Sequence, residues 1–311
     1  CIFFSFLVLF SIGIIAQENR NSVSFVSYWS LGDYYEFKVT KSSRQWSGDS
    51  LTKNENNSYL ASFNVIDSTA SGYVVKWVYE NDMGSTYDFS EEVKASLAKY
   101  DSLEVIYKTT ELGAFVEVLN WKEIGEMMGN LFDELKVALA KGDETKLKAL
   151  DKSFKQLKKA YSSRVGVESV LLKELQYMHY PMGYEFKLQD TLRYEDQIPN
   201  VFGGSPIKGD TELHVDSVDF EQSFCVLKQH MKLNKDDAHK FMLQYVKKIY
   251  GSGKKVKRML KSAIYAVEDE NVFEFYYNPG VPHKIATRRE TTMMVGDVNM
   301  RREDDVLIEL R

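Results

Sequence analysis

With 311 residues, 44% of them hydrophobic and 13% aromatic, the chain can bury a sizeable core, and at 27% charged it falls outside disordered and fibrous compositions. A formal net charge of −5 over this length sets up no field that would gather nucleic acid, so no nucleic-acid partner is expected.

The chain opens on an apolar run. Between Ile2 and Ile15 the only polar side chains are Ser5 and Ser11, and Ala16-Gln17 follows directly. The run is too short to span a bilayer comfortably and fits the hydrophobic region of a signal peptide over residues 1–16, cleaved after Ala16. A secreted or periplasmic location follows. Cleavage removes Cys1 and leaves Cys225 without a disulfide partner; its place among Phe224, Val226 and Leu227 reads as a small buried hydrophobe.

A first β-rich repeat is expected over residues 25–120. Alternating aromatic and charged residues predict a strand at about 34–40, and 42–57 reads as a polar connection. Strands at about 59–67 and 72–80 follow, the last apolar on both faces apart from Lys76 and so expected to be central. Asp88 and Glu91 have the spacing of a capping box opening a short helix, and strands at about 102–109 and 114–120 follow. Residues 121–180 then change period. Ile124, Met127, Leu131, Leu135 and Ala138 form one heptad seam and Leu147, Leu150, Phe154, Leu157 and Tyr161 another, separated by Gly142-Asp143. That is a helical hairpin, and a connecting helix over about 167–179 ends at Pro181.

The second β-rich repeat is expected over residues 181–311. Its strands fall at about 184–190, 211–218 and 223–233, then a helix capped by Asn234, a basic helical insert at about 253–266, and strands at about 271–277, 282–292 and 304–310. The two repeats share a register. Tyr35-Glu36-Phe37-Lys38 recurs as Tyr184-Glu185-Phe186-Lys187, and the same displacement carries Ile66-Asp67-Ser68 onto Val215-Asp216-Ser217. Two matches without a gap point to an internal duplication. The expected fold is α+β: two related antiparallel curved sheets packed on helices, with the helical hairpin inserted between them.

Chemistry is sparse. His214 and Asp216 share a strand face but lack a third ligand nearby, so no metal is expected. Gly251-Ser252-Gly253-Lys254-Lys255 lacks both the earlier glycine and the following Ser or Thr of a phosphate loop. Nucleophile-elbow, zinc-protease, Cys-x-x-Cys and calcium-loop motifs are missing, and no cofactor is expected. The candidate ligand-binding residues are Tyr35 and Tyr184, at the head of the two copies, and Lys254, Lys255, Lys257 and Arg258 in the basic insert. The insert, like the hairpin helix carrying Lys146, Lys148, Lys152, Lys155, Lys158 and Lys159, is a basic amphipathic segment suited to a lipid or anionic membrane surface.

Ile15-Ala16-Gln17, the Gly183-Tyr184-Glu185-Phe186-Lys187 start after a helix, and Asn278-Pro279-Gly280-Val281-Pro282-His283-Lys284 together resemble secreted proteins of unknown function in Bacteroidetes-type Gram-negative bacteria. The resemblance implies a secreted or periplasmic location and assigns no residue a role. The expected function is a non-enzymatic envelope protein that binds a hydrophobic or lipid-like ligand or a protein partner. The alternatives are a structural or assembly component without a ligand, and a hydrolase using scattered carboxylates and a histidine. A contiguous apolar cavity would favour the carrier, a filled core the interaction protein, and convergent His, Asp or Glu in a cleft the enzyme.

Overall fold

Alternation decides which way the sheet faces. In β10 (Phe224–Leu233) Cys225, Leu227, Met231 and Leu233 are buried while Lys228 and Lys232 between them are exposed, as a strand with one face on the core requires. The computed structural model describes residues 21–80, 90–171, 173–198, 206–251, 259–260 and 262–311. The expected signal peptide, Asp88 of the expected capping box and residues 253–258 and 261 of the basic insert lie outside the described residues, and the end of the insert expected as helix, from Ile264, is strand.

Strands β2 (Tyr34–Ser47), β3 (Ser50–Thr69), β4 (Gly72–Glu80), β5 (Ser102–Thr109) and β6 (Phe115–Val118) make one antiparallel meander. Strands β8 (Thr191–Ile198), β9 (Ile207–Asp219), β10, β11 (Ile264–Tyr276) and β12 (Val281–Val295) make another. The last strand, β13 (Val298–Leu310), lies between β2 and β12 and pairs with both. One 11-stranded sheet results, in the order β6-β5-β4-β3-β2-β13-β12-β11-β10-β9-β8.

This corrects the expected α+β fold of two sheets on helices. The chain is mostly β, strand residues outnumber helical ones nearly two to one, and the halves form one continuous sheet. The cause is β13, which sets Ile308 against Val39 on one side and Ile285 on the other and so removes the two edges that would have separated the halves. The meanders themselves run in the same order across the sheet. Their β3–β4 and β9–β10 pairs each carry a register shift, at Val65/Asp67 and at the Val215–Ser217 stretch opposite Val226/Leu227.

Two further expectations change. The polar stretch 42–57 is not a connection but the paired outer half of β2 and β3, turned at Gly48-Asp49. The second Tyr-Glu-Phe-Lys does not enter the large sheet. Its β7 (Glu185–Lys187) pairs with β1 (Ser22–Ser24) in a separate two-stranded ribbon, and β8 occupies the place expected for it.

The helices are α1 (Glu91–Leu97), α2 (Trp121–Ala140), α3 (Glu144–Ala160), α4 (Arg164–Leu171), α5 (Lys173–His179) and α6 (Lys235–Tyr250). Helices α2 and α3 form a hairpin, with Leu157 of the expected seam exposed. Gly142 takes a positive φ, and the Asp143 carboxylate accepts from the Thr145 and Lys146 N–H groups. Asn234 caps α6 in the same way through Asp236 and Asp237.

The main core joins both halves of the sheet. Phe37, Val39, Phe63, Val75 and Trp77 from the first meander share it with Leu227, Phe273, Phe275 and Ile285 from the second, bridged by Phe25, Trp29, Leu175 and Met178. A second cluster, with Phe241, Met242 and Val246 of α6 over Met231, Val267 and Val295, covers the far end of the second meander. Between them a hydrogen-bonded polar patch is buried: Gln229 donates to the Tyr180 and Tyr194 hydroxyls at 2.8 Å, and Asn271 donates to Gln229 at 2.6 Å.

Candidate functional site

The segment after β1 alternates although it is not laddered into the sheet. Val23, Phe25, Ser27 and Trp29 point inward and are buried, while Ser24, Tyr28 and Ser30 point out. Phe25 meets Phe186 and Phe275 edge-on at 5.5 and 5.8 Å, and Trp29 meets Phe63 and Tyr73 at 4.9 and 5.2 Å. Its backbone then ties together turns from distant parts of the chain. The Phe25 N–H donates to the Tyr184 carbonyl, Ser27 to Leu112, Tyr28 to Pro279 and Gly32 to Val65, all at 2.9–3.2 Å.

Two glycines allow this close packing. A Cβ on Gly113 would lie 2.7 Å from Met182 Cε and 2.9 Å from Ser27 Cβ, and one on Gly280 would lie 2.9 Å from both Met182 Cε and the Val26 carbonyl. Both also have φ near +90°, which side-chain-bearing residues rarely adopt.

The outward side of this junction carries exposed apolar side chains. Tyr28, Leu31, Tyr34, Ile66, Leu112 and Tyr184 are all exposed, Leu31 to 67% and Tyr184 to 63%. They come from the hub segment, the start of β2, the end of β3, the β5–β6 turn and the lead into β7, so the hub gathers them onto one rim of the sheet. Six exposed large hydrophobic side chains on segments that the hub's hydrogen bonds tie together are of the kind that marks a contact surface. Sequence reading missed the hub; the alternation of Val23, Phe25, Ser27 and Trp29 was the available signal.

Beneath the rim the core around Tyr35 is closely packed. Tyr35, expected to line a ligand site, is half-buried in β2 and tilted against Phe63 at 5.9 Å. With Trp29, Phe37 and His179 it borders a void of about 10 Å³, room for one water at most. Tyr35 and Tyr184 are therefore not equivalent: one faces the core and the other the rim. Lys254, Lys255, Lys257 and Arg258 lie outside the described residues.

His179 is buried beside that void. The Gly113 carbonyl can only accept, so Nδ1 carries the proton and donates to it at 2.7 Å, and Nε2 accepts from the Tyr107 hydroxyl at 2.8 Å. Burial pushes the imidazole pKa down to about 4, so the ring is neutral at neutral pH. Other buried or half-buried acids are matched to cations: Glu174 to Lys41, Glu303 to Arg44 at 2.7 Å and to Arg301, and Asp269 to Arg289 at 2.6 Å. Asp216, the possible partner of His214, instead pairs with Lys228 at 2.8 Å. Burial raises the Cys225 thiol to about 12.

No protein-family model matches this chain, and no curated protein matches it. Among solved structures it is similar to Ail, the attachment invasion locus protein of Yersinia pestis, at 8% identity over 91% of this chain and 100% of that one, with a TM-score of 0.16. It is also similar to an outer membrane channel from Pseudomonas putida F1, at 5% identity over 92% of this chain and 98% of that one, with a TM-score of 0.18. Scores of this size do not place either protein on the same architecture as this one, and neither carries an argument about function.

Proposed function

We propose that this is an exported envelope protein that works by surface binding rather than catalysis, and that the tyrosine rim is where it meets a lipid-like surface. Export draws on the apolar run before Gln17. Surface binding draws on the close packing around Tyr35, where a void of about 10 Å³ holds no hydrophobic ligand, and on carboxylates held in ion pairs. The observation that carries the reading is the convergence of Tyr28, Leu31, Tyr34, Ile66, Leu112 and Tyr184 on one hydrogen-bonded rim. Tyrosine combines an apolar ring with a hydroxyl that stays hydrated, which suits the boundary between headgroups and acyl chains. No helix among the described residues is long and apolar enough to cross a bilayer.

The test is co-sedimentation with neutral phosphatidylcholine vesicles. The combined variant Tyr28→Ser, Leu31→Ser and Tyr184→Ser should lose binding, because each side chain contributes about 1–2 kcal/mol when its exposed part leaves water. Binding unchanged in that variant, or no binding by the wild type, would leave the reading of an assembly component without a lipid ligand.

A further inference from the structure

Helix α3 carries a second surface, built from a different force. Its apolar side, with Leu147, Leu150 and Phe154, turns toward α2, where Phe154 stacks on Phe132 at 5.5 Å. Two ion pairs close that seam, Lys158 with Asp133 at 2.6 Å and Lys136 with Asp151 at 2.8 Å. On the opposite side Lys148, Lys152, Lys155 and Lys159 are exposed, at spacings of four, three and four residues. They form a straight row about 16 Å long at the helical rise. Among the described residues no carboxylate lies within ion-pair distance of any of the four, because Asp151, the acid nearest in sequence, is held by Lys136. The row is thus a concentrated positive stripe on a chain whose net charge is −5.

We infer that this face of α3 docks on an anionic bilayer surface, with the four lysines meeting phosphate-bearing headgroups. Charge complementarity names an anionic partner, and the residue types choose among anionic partners. Protein interfaces deplete lysine and favour arginine and aromatics, and arginine's planar fork is what recognises discrete phosphates on nucleic acid. The segment Glu144–Ala160 contains six lysines, no arginine and only Phe154 as an aromatic, which is turned inward. Compact, strongly hydrated ammonium groups on long stems suit diffuse attraction to a charged plane, where each basic residue contributes about a fivefold gain in binding at low salt. Leu147, Leu150 and Phe154 of α3 are turned to α2 and only Leu157 of its large apolar residues is exposed, so the contact is chiefly electrostatic and the helix lies on the surface rather than in it.

The inference does not depend on the rim, and salt separates the two. Binding of the full protein is compared on phosphatidylcholine vesicles and on vesicles that also contain phosphatidylglycerol, at low and high salt. The wild type should prefer the anionic vesicles, and the preference should fall as the Debye length shortens from about 30 Å at 0.01 M to about 3 Å at 1 M salt. Replacing Lys148, Lys152, Lys155 and Lys159 together with glutamine should cut the anionic preference at low salt by several hundred-fold, roughly fivefold for each lysine. Arginine at the same four positions should keep it. Glutamine is a good helix former on an exposed face, so an unchanged thermal melt confirms that the fold survives. A glutamine variant that keeps the full preference would overturn the inference. So would binding to soluble polyaspartate with no gain on anionic vesicles, which would assign the stripe to an acidic macromolecule. A rim variant that loses neutral-vesicle binding yet keeps the salt-sensitive preference supports it.

Discussion

His179 gives the hub a built-in sensitivity to acid. Its imidazole has an ordinary pKa of 6.5, pushed down to about 4 by burial, which outweighs the opposing effect of the Gly113 carbonyl, while the Tyr107 hydroxyl donates to the unprotonated Nε2. In the unfolded chain the ring takes up a proton as pH falls below about 6.5, and in the folded protein it resists doing so until about pH 4. Between those values the unfolded state binds more protons, so folding stability falls with falling pH. The stability is complete above pH 6.5, and the full loss, reached below about pH 4, is on the order of 3 kcal/mol. At about pH 4.5 the loss from this group should be roughly 2.5 kcal/mol relative to neutral pH. Urea unfolding of the wild type and of His179→Gln at both pH values isolates it from the titrating carboxylates, which the two proteins share. The variant should be less stable at neutral pH, by roughly 1–3 kcal/mol for the disrupted pair of hydrogen bonds, with the gap closing in acid. Parallel pH slopes for the two proteins would show that the buried histidine is not linked to folding, and the reasoning would fail.

Gly280→Ala should destabilise the hub by roughly 1–3 kcal/mol, since the added Cβ meets Met182 and the Val26 carbonyl at a positive φ; a thermal melt within error of wild type would refute the packing. Phe37→Ala should cost about 3–5 kcal/mol, because Phe37 is fully buried and stacked on Trp77 at 5.7 Å; denaturant titration checks it, and a change below about 0.5 kcal/mol would contradict its place in the core. Cys225, buried and with its thiol near 12, should resist alkylation at neutral pH and react only when the protein is unfolded; rapid modification of the native protein would contradict its burial.

What was legible in the sequence was local. The α2–α3 hairpin could be read because its heptad seams and the Asp143 cap lie within one turn of the residues they organise. Strand β10 could be read because one face is buried and its alternation is intact, and β4 because it is a short continuous apolar run apart from Lys76. The outer half of β2 and β3 could not, because residues 41–58 are polar and mostly solvated, and their order comes from pairing with β13 at the other end of the chain. The same long-range pairing turned two expected sheets into one. Tyr35 and Tyr184 sit in identical tetrapeptides yet face core and solvent, since their neighbours differ. The rim was hidden for a related reason: each turn contributes one or two exposed apolar residues, unremarkable singly, and only the hub's hydrogen bonds bring them together.

The buried Cys225 makes one direct measurement of the rim possible. A Tyr184→Cys variant labelled with an environment-sensitive fluorophore reports from the rim, and Lys152→Cys reports from the outer face of α3. With neutral vesicles at high salt, the label at residue 184 should brighten and shift to the blue as it enters the headgroup boundary, while the label at residue 152 stays in water. No change at 184 under conditions where the protein binds vesicles would contradict the claim that this protein meets lipid through its tyrosine rim.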